Sequence, residues 1–178
     1  METILSYVSL VKRLSHLDQL LRRTPGERAG EWSSGERRSR YDAETDTYLA
    51  WGANDDGTGH IERLPDGTLV VARMSGPGCI WHIWTALAGP GLIHLVLDGV
   101  EYAFPFEDCF NGIGYPFPYP GLCYESAGGR NCWVPIPYAH SCEVRLSGDW
   151  GSIFTSPDGS NWTFACHFPK TPHRHWRN

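Results

Sequence analysis

From Glu2 to Arg23 the apolar residues Ile4, Val8, Val11, Leu14, Leu17, Leu20 and Leu21 recur at three- and four-residue spacing, while Lys12, Arg13, Asp18 and Gln19 take the other faces. The spacing predicts an amphipathic helix over residues 1–23, ended by Pro25-Gly26. Its apolar stripe must dock on the body of the domain or on a neighbouring subunit. Residues 24–47 are polar, charged and without period, which predicts an extended arm or loop. Beyond Trp51 the period changes to two, and Asp66-Gly67, Asp98-Gly99 and Asp158-Gly159 each separate runs fit for strands. The expected strands are 68–74, 78–86, 92–97, 101–106, 132–136, 142–146 and 162–168, joined as a meander. Short strands without intervening helices predict a sandwich or jelly roll over 48–170, with a disordered tail at 171–178.

Composition agrees with a turn-rich β protein. A chain of 178 residues, 41% hydrophobic, can bury a real core in one domain. Trp (8), Tyr (8) and Phe (7) beside Gly (20) and Pro (13) separate it from the aromatic-poor composition of disorder. The formal net charge of -5 gives no attraction to phosphates, so neither nucleic acid nor an anionic membrane is an expected partner. No eighteen apolar residues run together and no leader-like h-region opens the chain, so a cytoplasmic location is expected. The six cysteines form no C-x-x-C pair and are expected as free thiols.

Candidate chemistry lies in the turns. The stretch WGANDDG places Trp51, Asn54, Asp55 and Asp56 together: a ring face and three hydrogen-bonding groups that suit a sugar. The same residues could cap a turn through Asx bonding or contribute to a calcium site, although EF-hand spacing is absent. In GPGCIWHIWTA, strict alternation puts Cys79, Trp81, Ile83 and Thr85 on one side and Ile80, His82, Trp84 and Ala86 on the other. His82 is then a hydrogen-bonded structural residue or part of a site. PFEDCF ends a strand with Glu107 and Asp108, which in extended backbone face opposite ways, with Asp108 as the inward member. The aromatic, Gly- and Pro-rich stretch between Asp108 and Gly129 reads as a long ordered loop. Arg130 and Asn131 precede a segment that Pro135 and Pro137 confine to an edge. Cys166, His167, His173 and His175 lack zinc-ligand spacing, so no metal is expected. G-x-S-x-G, P-loop and Rossmann fingerprints are absent, which removes serine-hydrolase, nucleotide and NAD readings; no cofactor is expected.

The helix followed by RRSRYD, then WGANDDG, GPGCIWHIWTA, LVLDGVE, PFEDCF, GGRNCWVPIPYAHSCEV and GDWG together resemble glycoside hydrolase family 172, first catalogued as domain of unknown function 2961. Each motif is weak alone, but their order over about residues 10–170 is specific. The resemblance implies two consecutive jelly rolls in symmetric oligomers, acting on fructofuranosides or arabinofuranosides. Known members are roughly twice as long, so this chain looks like the first jelly roll with its helix. The resemblance places the catalytic glutamate pair in the later half, and none is carried onto this sequence. It does place WGANDDG near the site, and family members carry a polar or basic residue at His82. Where the family often has lysine this chain has His140.

The expected site is therefore a furanoside contact surface of Trp51, Asn54, Asp55, Asp56, His82, Asp108 and Arg130, on part of a glycoside hydrolase. The runner-up enzyme reading is a catalytic dyad made from Glu107 and Asp108. A carbohydrate-binding module without catalysis, or a capsid-like jelly roll assembling through helix and edge strands, are the alternatives.

Overall fold

The computed structural model describes residues 7–16, 27–35, 40–51, 59–86, 88–148 and 162–169. Helix α1 (Tyr7–Ser15) is followed by β1 (Glu27–Ser33), β2 (Arg40–Asp42), β3 (Thr47–Leu49), β4 (Glu62–Arg63), β5 (Leu69–Ser75), β6 (Gly78–Thr85), β7 (Leu92–Leu97) and β8 (Val100–Pro105). One turn of 3-10 helix (Phe106–Cys109) precedes β9 (Cys123–Ser126), β10 (Gly129–Cys132), β11 (Ile136–Tyr138), β12 (Ser141–Ser147) and β13 (Trp162–Pro169). The expected all-β sandwich with an N-terminal helix is the fold observed. Among the described residues one sheet runs β1-β13-β6-β10-β9, with β11 also paired to β6, and the other runs β4-β5-β12-β7-β8. Between them lies one apolar cluster built from Leu69, Met74, Ile80, Ile83, Ile93, Phe104, Phe106, Val144 and Leu146 among others.

The connections are not those of a meander. The chain changes sheets between β5 and β6, β6 and β7, β8 and β9, β11 and β12, and β12 and β13. Such swapping gives each sheet apolar side chains from distant parts of the sequence. The β7–β8 hairpin does follow its local signal: Asp98 (φ 52°) and Gly99 (φ 85°) supply the two positive φ angles of a type I′ turn.

Three further readings of the sequence change in the strands. Residues 27–33, within the polar arm, form β1, paired along its length with β13. As an edge strand β1 needs little apolar surface, and Trp32 supplies the packing against the core. In β6, Ala165 faces His82 and Cys166 faces Ile80, so Trp81 is the extra residue of a bulge. The bulge breaks strict alternation and brings Ile80 and Ile83, three residues apart, into the same core. The strand expected at 132–136 divides between β10 and β11, with Pro135 in the break between them; both pieces pair with β6, and Pro137 keeps its place in the ladder opposite Cys79.

Helix α1 ends at Ser15, whose Oγ donates to Lys12 O at 3.0 Å. Among its described side chains Leu10 is the buried one, at 1% exposure, whereas Val8 and Val11 of the expected stripe are exposed, Val8 by 60%. The remainder of the expected helix, the tail expected at 171–178 and the Asp158-Gly159 turn lie outside the described residues.

Candidate functional site

Among the described residues, a concentration of polar groups lies where β8 runs into the 3-10 turn. Phe106 and Cys109, three residues apart, are both fully buried. Three residues per turn therefore anchors one face of the segment in the core and turns Glu107 and Asp108 together toward the rim. Sequence reasoning assumed extended backbone and set these carboxylates on opposite faces; both instead line one cleft with Phe110, Asn111, Glu125 and Arg130. The cleft holds about 330 Å³, near the lower end of ligand pockets, roughly 300–1,000 Å³.

Its walls are fixed by local bonds. Asn111 Nδ2 donates to Asp108 Oδ1 at 3.1 Å, and Asn111 Oδ1 accepts the Ile113 N–H at 2.9 Å. Gly112, at φ 66°, lets the loop turn here, and a side chain at this position would collide with the backbone of Pro120. On the opposite wall, Arg130 faces Glu125 across the β9–β10 hairpin, with Nε 3.9 Å from Oε2. Three carboxylates, one guanidinium, one amide and one ring thus share the cleft. The arrangement offers hydroxyl groups both acceptors and donors, while Phe110 is buried in the core behind them.

His82 belongs to a different surface. Alternation along β10 points Asn131 away from Arg130, and Asn131 Oδ1 lies 3.2 Å from His82 Nε2. Because Asn131 Nδ2 donates to Gly129 O at 3.2 Å, its oxygen is the atom left for the imidazole, which therefore donates from Nε2. The His82 ring stacks on Trp133 at 3.8 Å and 10°. Burial lowers its pKa, against a smaller opposing effect of the Asn131 bond.

Trp51 stands at the end of the β2–β3 hairpin, 77% exposed. Its ring leans on Tyr48 at 5.2 Å, and Tyr48 on Tyr41 at 5.3 Å. Trp51 is not among the residues lining the cleft, and Asn54, Asp55 and Asp56 lie outside the described residues. The structure thus brings together Asp108 and Arg130 and sets His82 and Trp51 elsewhere.

Sequence reasoning passed over Phe110, Asn111 and Glu125, which it placed in one undivided loop; the hairpin that presents Glu125 had no Asn-Gly or Asp-Gly signal. It also missed a relay across three strands: His94 Nδ1 lies 2.6 Å from Glu101 Oε1, and His94 Nε2 lies 2.6 Å from Ser147 Oγ. No local motif could reveal it, since β7, β8 and β12 each contribute one residue. The relay lies on the outer face of its sheet beside Arg145, the cross-strand partner of His94, and does not line the cleft. Among the described residues no three His, Cys, Asp or Glu side chains come together to hold a metal ion. Among them, too, no helix is long and apolar enough to cross a membrane.

No curated protein matches the chain. A family model, described as the GH172 first beta-sandwich domain, matches residues 25–157 and so covers both walls of the cleft. With that match over a sandwich of this topology, the chain belongs to the GH172 family.

Proposed function

We propose that this domain forms one wall of a furanoside-binding site, with the rim cleft gripping a fructofuranoside or arabinofuranoside. The carboxylate pair that cleaves the glycosidic bond comes, in this reading, from outside residues 25–157. The observation that carries it is the convergence of Asp108 and Arg130, from segments far apart in the chain, on one cleft with Phe110 and Asn111. A furanose ring presents hydroxyl groups that the carboxylates accept from and that Arg130 and Asn111 donate to.

Binding rather than bond cleavage fits these carboxylates. Glycosidic hydrolysis needs two carboxyl groups flanking the scissile bond, one of them delivering a proton. Glu107 and Asp108 project from the same turn, so they approach a ligand from one side. Asp108 already accepts from Asn111, and Glu125 sits beside Arg130, arrangements suited to accepting hydrogen bonds.

Calorimetric titration with methyl furanosides tests the reading, together with an assay for released fructose or arabinose. Saturable binding that falls tenfold or more in Arg130→Gln and in Asp108→Asn is expected. Turnover by the chain alone, lost in Glu107→Gln or Asp108→Asn, would instead support a local catalytic dyad. Absence of saturable binding would defeat the proposal. The exposed Tyr7, Val8 and Val11 of α1 favour one alternative in that case, a jelly roll that assembles with its own copies, which light scattering would detect.

A further inference from the structure

The β9–β10 hairpin carries Glu125 and Arg130 to the cleft, and it carries something else between its legs. Its loop is Ala127-Gly128, with φ values of 52° and 76°. Two positive φ angles make a type I′ turn, in which the flanking residues, Ser126 and Gly129, form the first hydrogen-bonded pair. Alternation along an antiparallel ladder then makes Glu125–Arg130 a non-hydrogen-bonded pair, Tyr124–Asn131 a bonded one, and Cys123–Cys132 again non-hydrogen-bonded. The next bonded pair should join Leu122 to Trp133, and the Trp133 N–H donates to Leu122 O at 2.8 Å. Non-hydrogen-bonded pairs bring their Cα atoms to roughly 4.5 Å, inside the window of roughly 4.4–6.8 Å that a disulfide requires. The two sulfurs lie 3.6 Å apart, so each must move by about 0.8 Å to reach bonding distance.

We propose that Cys123 and Cys132 are a reversible oxidation site whose disulfide locks the β9–β10 hairpin, and with it the Glu125–Arg130 wall of the cleft. The inference is independent of what the cleft binds. The reaction removes two protons and two electrons from the thiols. A small-molecule disulfide accepts them by exchange: one cysteine attacks as thiolate, a mixed disulfide forms, and the second cysteine displaces the remaining small thiol. Two small thiols are released in all. Either sulfur can open the exchange, since the 3.6 Å contact places each within reach of the other once the mixed disulfide has formed. Both sulfurs are buried, but β9 ends its sheet and pairs only with β10 among the described residues, so fraying of this edge admits the oxidant.

Treating the full chain with oxidised glutathione tests the site, followed by thiol counting under denaturing conditions and non-reducing peptide mapping. The expected result is a fall from six thiols to four, a peptide linking Cys123 to Cys132, and reversal by dithiothreitol. Amide exchange at Tyr124 and Asn131 should slow at least tenfold in the oxidised protein. Cys109→Ser should leave the linkage unchanged; Cys123→Ser should abolish it. Six thiols persisting in the folded protein, a linkage running through Cys109, or cross-links only between chains would each overturn the assignment. A disulfide formed without slower exchange would overturn the lock.

Discussion

Asp98 acts through both its backbone and its carboxylate. Its positive φ opens the β7–β8 turn, while its carboxylate receives three N–H groups: Ala139 at 2.8 Å on Oδ2, and His140 at 2.6 Å and Ser141 at 2.9 Å on Oδ1. The turn thereby clamps the entry to β12. These backbone bonds, led by that from Ala139, hold the carboxyl below the usual carboxylate range. With a depressed folded pKa, the stabilisation is present above the unfolded value of about 3.9 and is lost as pH falls through the folded one. Asn tolerates the positive φ, so Asp98→Asn removes the charge and keeps the turn. A loss of about 1 kcal/mol at pH 7 is expected, held to that size because the group is exposed. Urea melts at pH 7 and pH 2.5 should show the gap between the two proteins closing at the lower pH. An unchanged gap would mean that the charge has no part in the clamp. For His82 the same sign holds from a different cause, since burial disfavours the imidazolium. Its NMR titration should fall below 6.5, and the stability it contributes should fade as pH drops from 6.5 toward that lower value.

At the scale of elements, what could be read from the sequence depended on whether the cause was local. The β7–β8 hairpin was legible because Asp98-Gly99 meets its backbone requirement in two adjacent residues, and strand 92–97 was placed to the residue. The β9–β10 hairpin was not, since alanine seldom occupies a positive φ and Ala127 does so here. Nor could the bulge at Trp81 be seen, because its cause is register against β13 and not anything in the strand itself. The candidate cleft divides in the same way: Asp108 and Arg130 stood out as polar groups at strand ends, whereas Glu125 waited on the unseen hairpin. Ala127→Asn restores the favoured Asn-Gly turn pair and should raise stability by about 0.5–1 kcal/mol in denaturant melts. Gly129→Ala should act in the opposite direction. A side chain there collides with the Trp84 indole on the neighbouring strand, so a cost of about 1–3 kcal/mol is expected. If Gly129→Ala left the midpoint unchanged, the close approach of β10 to Trp84 would have to be given up.

Across the whole molecule the inter-sheet core does not account for α1. Leu10 is buried but stands outside the main apolar cluster, and so does Cys79 of β6. Tyr7 and Arg13 lie near enough to Cys79 for their charges to couple to it, and Tyr7 also lies near Tyr119 of the cleft-side loop. The helix therefore meets the sandwich near Cys79 of β6, with Leu10 as its buried side chain among those described. Burial pushes the Cys79 thiol up to about 12, and that of Cys142, on β12 of the other sheet, likewise to about 12. The two thiols thus give a ratio that separates helix undocking from global unfolding. Leu10→Ala should cost about 2–4 kcal/mol if the helix unfolds only with the rest, and less if it can lift alone. In the second case Cys79 should react with a thiol reagent much faster than in the parent protein while Cys142 keeps its rate. Val8→Ser, on the exposed face, should change neither rate and should shift stability by no more than about 0.5 kcal/mol. Equal acceleration of both cysteines in Leu10→Ala would show that helix and sandwich open as one cooperative body.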